Sequence, residues 1–234
     1  MDPLEPKILA DLLGLTAHDL RNPLSALRTN LGFLASIGPG DDDLRDAVAD
    51  GLASCDGIAH MIDNVDLISR ALRSADRRGV TPVRLGGLVI DAVGRTKLSS
   101  KSHEVTVQVA DDVKGASVSV RTHQELFISA LENLLRNSIQ LAPAGSTVRV
   151  SLRTEAKRAG VVVHDGGPLL EAGLRESAFT AAGQAAVKGL GAGRYSRGLG
   201  LWCARLASDA CAARIDVEEP PEGGNAFVLS AARG

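Results

Sequence analysis

The chain has 234 residues with 26 Lys and Arg against 28 Asp and Glu, 44 % hydrophobic, 23 % charged and 3 % aromatic. That is a globular composition with room for one large or two modest cores, too evenly charged and too poor in stacking surfaces to suggest a nucleic-acid binder. No apolar run approaches the ~20 residues that cross a bilayer, the acidic start MDPLEPKIL is unlike a secretory leader, and three cysteines without CxxC spacing fit a reducing cytoplasm, so neither membrane nor nucleic acid is expected as a partner.

The first segment is helical by period. Leu20, Leu24, Leu27, Leu31 and Leu34 recur in steps of four and three, a heptad seam that Leu13 and Ala17 extend backwards. GPGDDD, from Gly38 to Asp43, stops it and opens the next helix. A second helix carries Val48, Cys55 and Ile62 at one heptad position and Leu44, Ile58, Val65 and Leu72 at another. Two amphipathic helices on a short loop form an antiparallel hairpin. Two helices bury little, so pairing of two hairpins into a four-helix homodimer completes the core; docking of the hairpin on its own C-terminal domain is the alternative.

ADRRGVTP is polar and turn-prone, a linker. Beyond it, Leu85 to Val93 reads as a helix, and Val105, Val107 and Val109 alternate as a strand. Thr122 to Leu141 reads as a helix opened by a capping box of Thr122 and Glu125. Val148, Val150 and Leu152 form one strand pattern and Val161 to Val163 another. Gly166 to Arg197, rich in Gly and Ala, reads as a long mobile loop. Leu199 to Ala210 is helical again, and Ile215, Val217, Phe227 and Leu229 mark a closing strand pair. The expected class is α+β: a helical hairpin, then an α/β sandwich whose sheet is covered by helices on one face.

Four clusters carry chemistry. His18 falls one step off the first seam, on the solvated flank, where a neutral imidazole nitrogen can act as a nucleophile. Asp19 follows it, Asn22 lies one turn further on the same face, and Pro23 removes a backbone donor. Taken alone, an exposed helical His is ordinary surface. Asn133 and Asn137 share a helix face that Gln140 extends, and amide oxygens there can ligate a hard cation. In VVVHDGGPLL, Asp165 ends an apolar strand before two glycines, placing a carboxylate that can accept from an exocyclic amine beside backbone that permits close approach. In RGLGLWCARLA, Gly198, Leu199 and Gly200 enter a helix whose free N–H groups suit phosphate.

Taken in order, these strings resemble the core of sensor histidine kinases: AHDLRNPLSALRTNL the H-box, LENLLRNSIQLAP the N-box, VVVHDGGPLL the G1 box and RGLGL the G2 box. The resemblance implies residues 1–76 as a dimerisation and histidine phosphotransfer hairpin and 80–234 as a catalytic domain of the gyrase-like (Bergerat) ATP-binding fold. It makes His18 the phosphoacceptor, Asp19 its acidic partner and Asn22 the residue that positions water for dephosphorylating a response regulator. Asn137 becomes the Mg2+ ligand, Asn133 a nucleotide-site partner, Asp165 the adenine reader and Gly167 its close-approach glycine. Gly198, Leu199 and Gly200 face the phosphates of ATP, Phe179 is the remnant of an F-box in an ATP lid, and GGNAF loosely fits the last glycine box. The implied partners are a second copy and a response-regulator receiver domain; no sensor segment fits in the few residues before the H-box, so input is expected from an upstream sensor protein, from another chain, or from no source visible in the sequence.

The sequence departs from the family at Gln140 and Leu141, where a Lys and an aromatic are usual, at Leu169 in place of the second G1 glycine, and at Ser196. Arg136, Arg194 and Arg197 are the candidates to replace the missing phosphate-facing cation. The rival readings are a kinase degenerated to a phosphotransfer adaptor or a response-regulator phosphatase, and a non-catalytic dimeric scaffold. A gyrase-like hydrolase is disfavoured, because Asn133 stands where those enzymes carry a water-activating Glu.

Overall fold

A computed structural model describes residues 6–36, 42–72, 79–180 and 199–234. The chain divides into two compact units, Met1–Ala75 and Asp76–Gly234.

The first unit is a helical hairpin of α1 (Pro6–Ser36) and α2 (Asp42–Leu72). Ala17 on α1 and Val48, Cys55 and Ile62 on α2 are buried, so the heptad line through Val48 is the one that faces the neighbouring helix. Arg21 crosses to α2, its Nη2 donating to Asp63 Oδ1 at 2.9 Å and approaching Asp66 Oδ2 at 3.5 Å. The other seam is not covered within the hairpin: Leu20 is 50 % exposed, Leu27 49 %, Leu34 44 % and Ile58 40 %. α1 runs unbroken through Pro23.

The second unit is an α/β sandwich. Its five-stranded sheet has the order β2-β4-β5-β7-β6, where β2 is Thr106–Val109, β4 Thr147–Thr154, β5 Arg158–Asp165, β6 Ala213–Glu218 and β7 Asn225–Ala232. β2 runs parallel to β4 and the remaining pairs are antiparallel. Val148, Val150, Val161, Val163, Phe227 and Leu229 turn inward and are buried beneath α3 (Leu85–Arg95), α6 (Gln124–Leu141) and α8 (Gly200–Ala210). The residues between them point to the opposite face, where Arg153 reaches across two strands to Glu218, Nη2 to Oε2 at 2.8 Å. This period-two pattern is why the strands were readable from alternation. Short helices α4 (Lys97–Ser102), α5 (Asp111–Lys114) and α7 (Arg175–Ala178), with one 3-10 turn (Ala172–Leu174), fill the connections.

Two expectations change. The linker is shorter than ADRRGVTP implies, because Thr81–Arg84 is a strand, β1, paired antiparallel with β3 (Ser119–Thr122). Thr122 also ends β3 rather than capping α6. Its hydroxyl donates to the Cys211 carbonyl at 3.0 Å, the N-cap is His123, and Glu125 pairs instead with Arg95 at 2.9 Å.

Candidate nucleotide and phosphotransfer sites

In the hairpin, His18 and Asn22 are both exposed on α1, one turn apart on one face. The side chains of Asp19 and Pro23 lie outside the described set. Arg21, between His18 and Asn22 in the chain, ties this turn of α1 to α2.

In the second unit the candidate residues come from four elements. Asp165 ends β5 and is 1 % exposed. Its Oδ1 accepts from the Gly167 amide at 2.9 Å and from Asn225 Nδ2 at 3.2 Å, while Oδ2 is buried with no hydrogen-bond partner among the described residues. A buried carboxylate oxygen left unpaired costs roughly 1–3 kcal/mol or more, a cost that a donor on a ligand removes. Gly167 is constrained by its own chain: a Cβ there would lie 3.0 Å from the Leu141 carbonyl oxygen and 3.1 Å from Asp165 Oδ1.

Asn133 is buried on α6, its Nδ2 donating to the Ser129 carbonyl at 3.0 Å. A Cβ on Gly200 would lie 3.6 Å from Asn133 Oδ1, so the first turn of α8 passes directly over this amide. Asn137 follows one turn later on α6, half-buried. The N-cap residue of α8, Leu199, makes no side-chain cap, and amides at the start of a helix suit an anionic acceptor. Leu199 is exposed. Gly198 lies outside the described residues, as do Arg194 and Arg197.

Arg136 does not replace the missing phosphate-facing cation. It is buried, with Nε donating to Glu132 Oε1 and Nη2 to the Arg95 carbonyl, both at 3.0 Å, so its charge is committed between α3 and α6. Phe179 is likewise a core residue. It is 4 % exposed, meets Phe227 edge-to-face at 6.5 Å between centroids, and lies under the Arg205 guanidinium at 5.4 Å.

Asn225 was not singled out by sequence reasoning, although GGNAF marked the turn that precedes it. It is buried, and its amide makes three hydrogen bonds into the 165–170 loop: Nδ2 to Asp165 Oδ1 and to the Pro168 carbonyl at 3.0 Å, and Oδ1 from the Leu170 amide at 2.7 Å. The turn is anchored from the sheet. Arg149 Nη2 donates to His164 Nδ1 at 2.7 Å, and His164 Nε2 donates to the Gly223 carbonyl at 3.0 Å.

Residues 8–73 match the family described as His Kinase A (phospho-acceptor) domain, and residues 122–233 the family described as Histidine kinase-, DNA gyrase B-, and HSP90-like ATPase. The chain belongs to the histidine kinase family. It is similar to Sensor protein QseC of Salmonella typhimurium, 29 % identical over 217 residues, covering 92 % of this chain and 45 % of that one. Sensor-like histidine kinase SenX3 of Mycobacterium tuberculosis is 25 % identical over 158 residues, covering 67 % and 38 %. The chain thus spans less than half the length of these curated relatives. Among solved structures, full-length ShkA in complex with AMPPNP superposes with a TM-score of 0.64 at 19 % identity, over 96 % of this chain and 46 % of that one. The nucleotide-free catalytic domain of ThkA gives 0.52 at 17 % identity, over 66 % and 97 %. These superpositions establish the family fold in both units. No described helix is long and apolar enough to cross a membrane.

Proposed function

We propose that this histidine kinase core transfers the γ-phosphoryl group of ATP to His18 and passes it to an aspartate of a response-regulator receiver domain, in the cytoplasm. Residues 1–76 serve as the dimerisation and phosphotransfer hairpin and residues 80–234 as the ATP-binding catalytic domain. The observation that carries the reading is the buried Asp165 carboxylate, whose Oδ2 lacks a partner where the adenine amine of ATP supplies a donor.

The roles follow from chemistry. A neutral ring nitrogen of His18 bonds to the γ-phosphorus as the bond to the bridging oxygen breaks and ADP departs. Asp19 stabilises the charge that develops on the ring, and Asn22 orients the water that hydrolyses the phosphorylated response regulator. Gly167 carries the backbone beside the base. The turn of Gly198, Leu199 and Gly200 presents amides to the phosphates, and Asn133 holds the floor beneath that turn. A magnesium ion supplies charge neutralisation for the phosphates, and Asn137 is the amide that would hold it, alongside waters and phosphate oxygens. The chain works as a homodimer, with the seam of Leu20, Leu27 and Leu34 facing the second copy.

The test is incubation with labelled ATP and Mg2+. An acid-labile, alkali-stable label that disappears in His18→Ala supports the reading, and an acid-stable label removes it. A second reading, a phosphotransfer adaptor or phosphatase, is favoured by one observation: Arg136 is tied to Glu132 and Gln140 is uncharged, so the described residues of the N-box helix offer the phosphates no cation. It prevails when ATP gives no label but a phosphorylated receiver domain passes its phosphoryl group to the wild-type chain.

A further inference from the structure

Asp165 Oδ1 already accepts two donors, the Gly167 amide and Asn225 Nδ2, while Oδ2 accepts none among the described residues. A carboxylate offers acceptors only, so the ligand group that satisfies Oδ2 must be a donor. The Gly167 amide belongs to the same turn as Asp165 and follows it wherever it goes. Asn225 does not: it comes from the first residue of β7, on a strand paired with β5 along its length, Asp165 opposite Asn225. Its remaining contacts, to the Pro168 carbonyl and from the Leu170 amide, fix the amide so that Nδ2, not Oδ1, faces the carboxylate. An amide in the opposite orientation would set oxygen against both Asp165 and Pro168, so the network itself assigns the donor.

We infer that Asn225 is a specificity-positioning residue: by donating to Asp165 Oδ1 and clamping the 168–170 segment, it holds Oδ2 as an unshared acceptor and makes the site select a nucleotide base bearing an exocyclic amine over one bearing a carbonyl. The inference rests on Asp165 reading the base. Inosine triphosphate is the discriminating probe, because it carries a carbonyl oxygen where ATP carries the amine. Set against Oδ2, that oxygen leaves two acceptors facing each other, an arrangement that buried sites reject strongly.

Asn225→Asp keeps the shape and the acceptor for the Leu170 amide but removes both donors. A carboxyl group then lies beside Asp165 Oδ1, and two adjacent carboxyls cannot both stay ionised, so the pair takes up one proton. Placed on Asp165 Oδ2, that proton turns the acceptor into a donor that the inosine carbonyl can accept from. Asn225→Ser retains a hydroxyl donor.

The experiment measures the affinities of the full chain for ATP–Mg and inosine triphosphate–Mg by calorimetry, and the result is the ratio of the two. General loosening of the loop weakens both nucleotides and cancels in the ratio. The expected result is a preference for ATP that Asn225→Ser keeps within about threefold and Asn225→Asp reduces at least about tenfold, the scale of one buried polar mismatch. An unchanged ratio in Asn225→Asp, with both nucleotides weakened equally, overturns the inference and leaves Asn225 a purely structural clamp. Where that variant lacks a cooperative thermal transition, Asn225→Ala is read in its place against the same criterion. Failure of the underlying reading looks different: Asp165→Asn then binds ATP as the wild type does, and the role of Asn225 in base choice falls with it.

Discussion

Gly224 lies against the carbonyl oxygen of Asp165 so closely that a Cβ on residue 224 would overlap it, and its φ of +76° is one that side chains with a Cβ rarely adopt. Both constraints push the same way. Gly224→Ala must displace either the end of β5 or the turn that delivers Asn225, and overpacking with backbone strain costs about 2–4 kcal/mol. The expected outcome is a lower thermal midpoint together with at least about a tenfold loss of ATP affinity, since the Asp165–Asn225 contact depends on this approach. Gly223→Ala is the control. It shares the positive φ, +86°, but has nothing within 4 Å, so it lowers stability without a matching loss of affinity.

Asn137→Ala tests the metal assignment. Removing this one neutral amide leaves the fold intact, because Asn137 is half-buried and the core of α6 is built from Phe127, Leu131, Leu134 and Leu135. Autophosphorylation is expected to disappear while the thermal midpoint in the absence of nucleotide shifts by less than about 2 °C. The readout that isolates the metal is nucleotide affinity with and without Mg2+: the wild type gains affinity on adding the ion and the variant does not. An equal gain in both removes Asn137 as a ligand.

The hairpin and the sheet were legible because their signals are local and periodic. Heptad steps and strict alternation report which side of an element is covered, and burial at Val48, Cys55, Ile62, Val148 and Val150 follows those periods. The site motifs were legible as strings, since Asp165 with its glycines and Asn133 with Asn137 each sit within one turn of chain. What escaped depends on contacts distant in sequence. Thr122 looks like a cap beside Glu125, but its hydroxyl serves Cys211. Arg136 looks available until Glu132 and the Arg95 carbonyl are seen to hold it. β1 and β3 are four residues each: β1 shows no clear alternation and carries Pro82, which argues against a strand, and the alternation of β3, with Val120 and Thr122 buried, spans too few residues to mark one. Asn225 reads as a turn residue, and only pairing of β7 with β5 brings it to Asp165.

Phe179 shows how a motif residue can be mainly structural. Truncation to Ala removes the ring packed on Phe227 and its contact with the Arg205 guanidinium, and aromatic-to-alanine changes in cores cost about 3–5 kcal/mol. Phe179→Ala is expected to lower the urea midpoint with an unchanged m-value. Phe179→Leu, closer in volume, is expected to recover more than half of the loss. If Phe179→Ala abolishes ATP binding at full stability, the residue belongs to the nucleotide site and not to the core.

The cysteines give a pH-linked prediction. All three are free and buried, and burial pushes the Cys203 thiol from 9.0 up to about 12, with Cys211 raised for the same reason. Raised thiols favour the folded state below the unfolded value and stop doing so as pH climbs through the folded one, because the unfolded chain releases those protons first. Stability is therefore expected to decline progressively between about pH 9 and 12, more steeply than in Cys203→Ala. At neutral pH a thiol reagent should modify none of the three until denaturant unfolds the chain. Rapid labelling of the native protein would contradict the burial that drives the shift.

The hairpin supplies the last prediction. Leu20, Leu27 and Leu34 fall seven residues apart along α1 and are each 44–50 % exposed, with Ile58 on α2 at 40 %. The residues that join α1 to α2, Ala17, Val48, Cys55 and Ile62, occupy different heptad positions and are buried without them. A single hairpin therefore has one apolar seam more than it needs, and the proposed homodimer is the arrangement in which a second copy would cover it, in the manner of a four-helix bundle. Leu27→Glu with Leu34→Glu places carboxylates in that seam, where burial without partners is prohibitive. Light scattering should show a dimer for the wild type and a monomer for the double variant. ATP affinity should be unchanged, because the second unit has its own core, and α-helix content should fall only modestly, because the α1–α2 contacts and the Arg21–Asp63 pair remain. A double variant that stays dimeric would place the interface elsewhere and leave the exposed seam without a role in assembly.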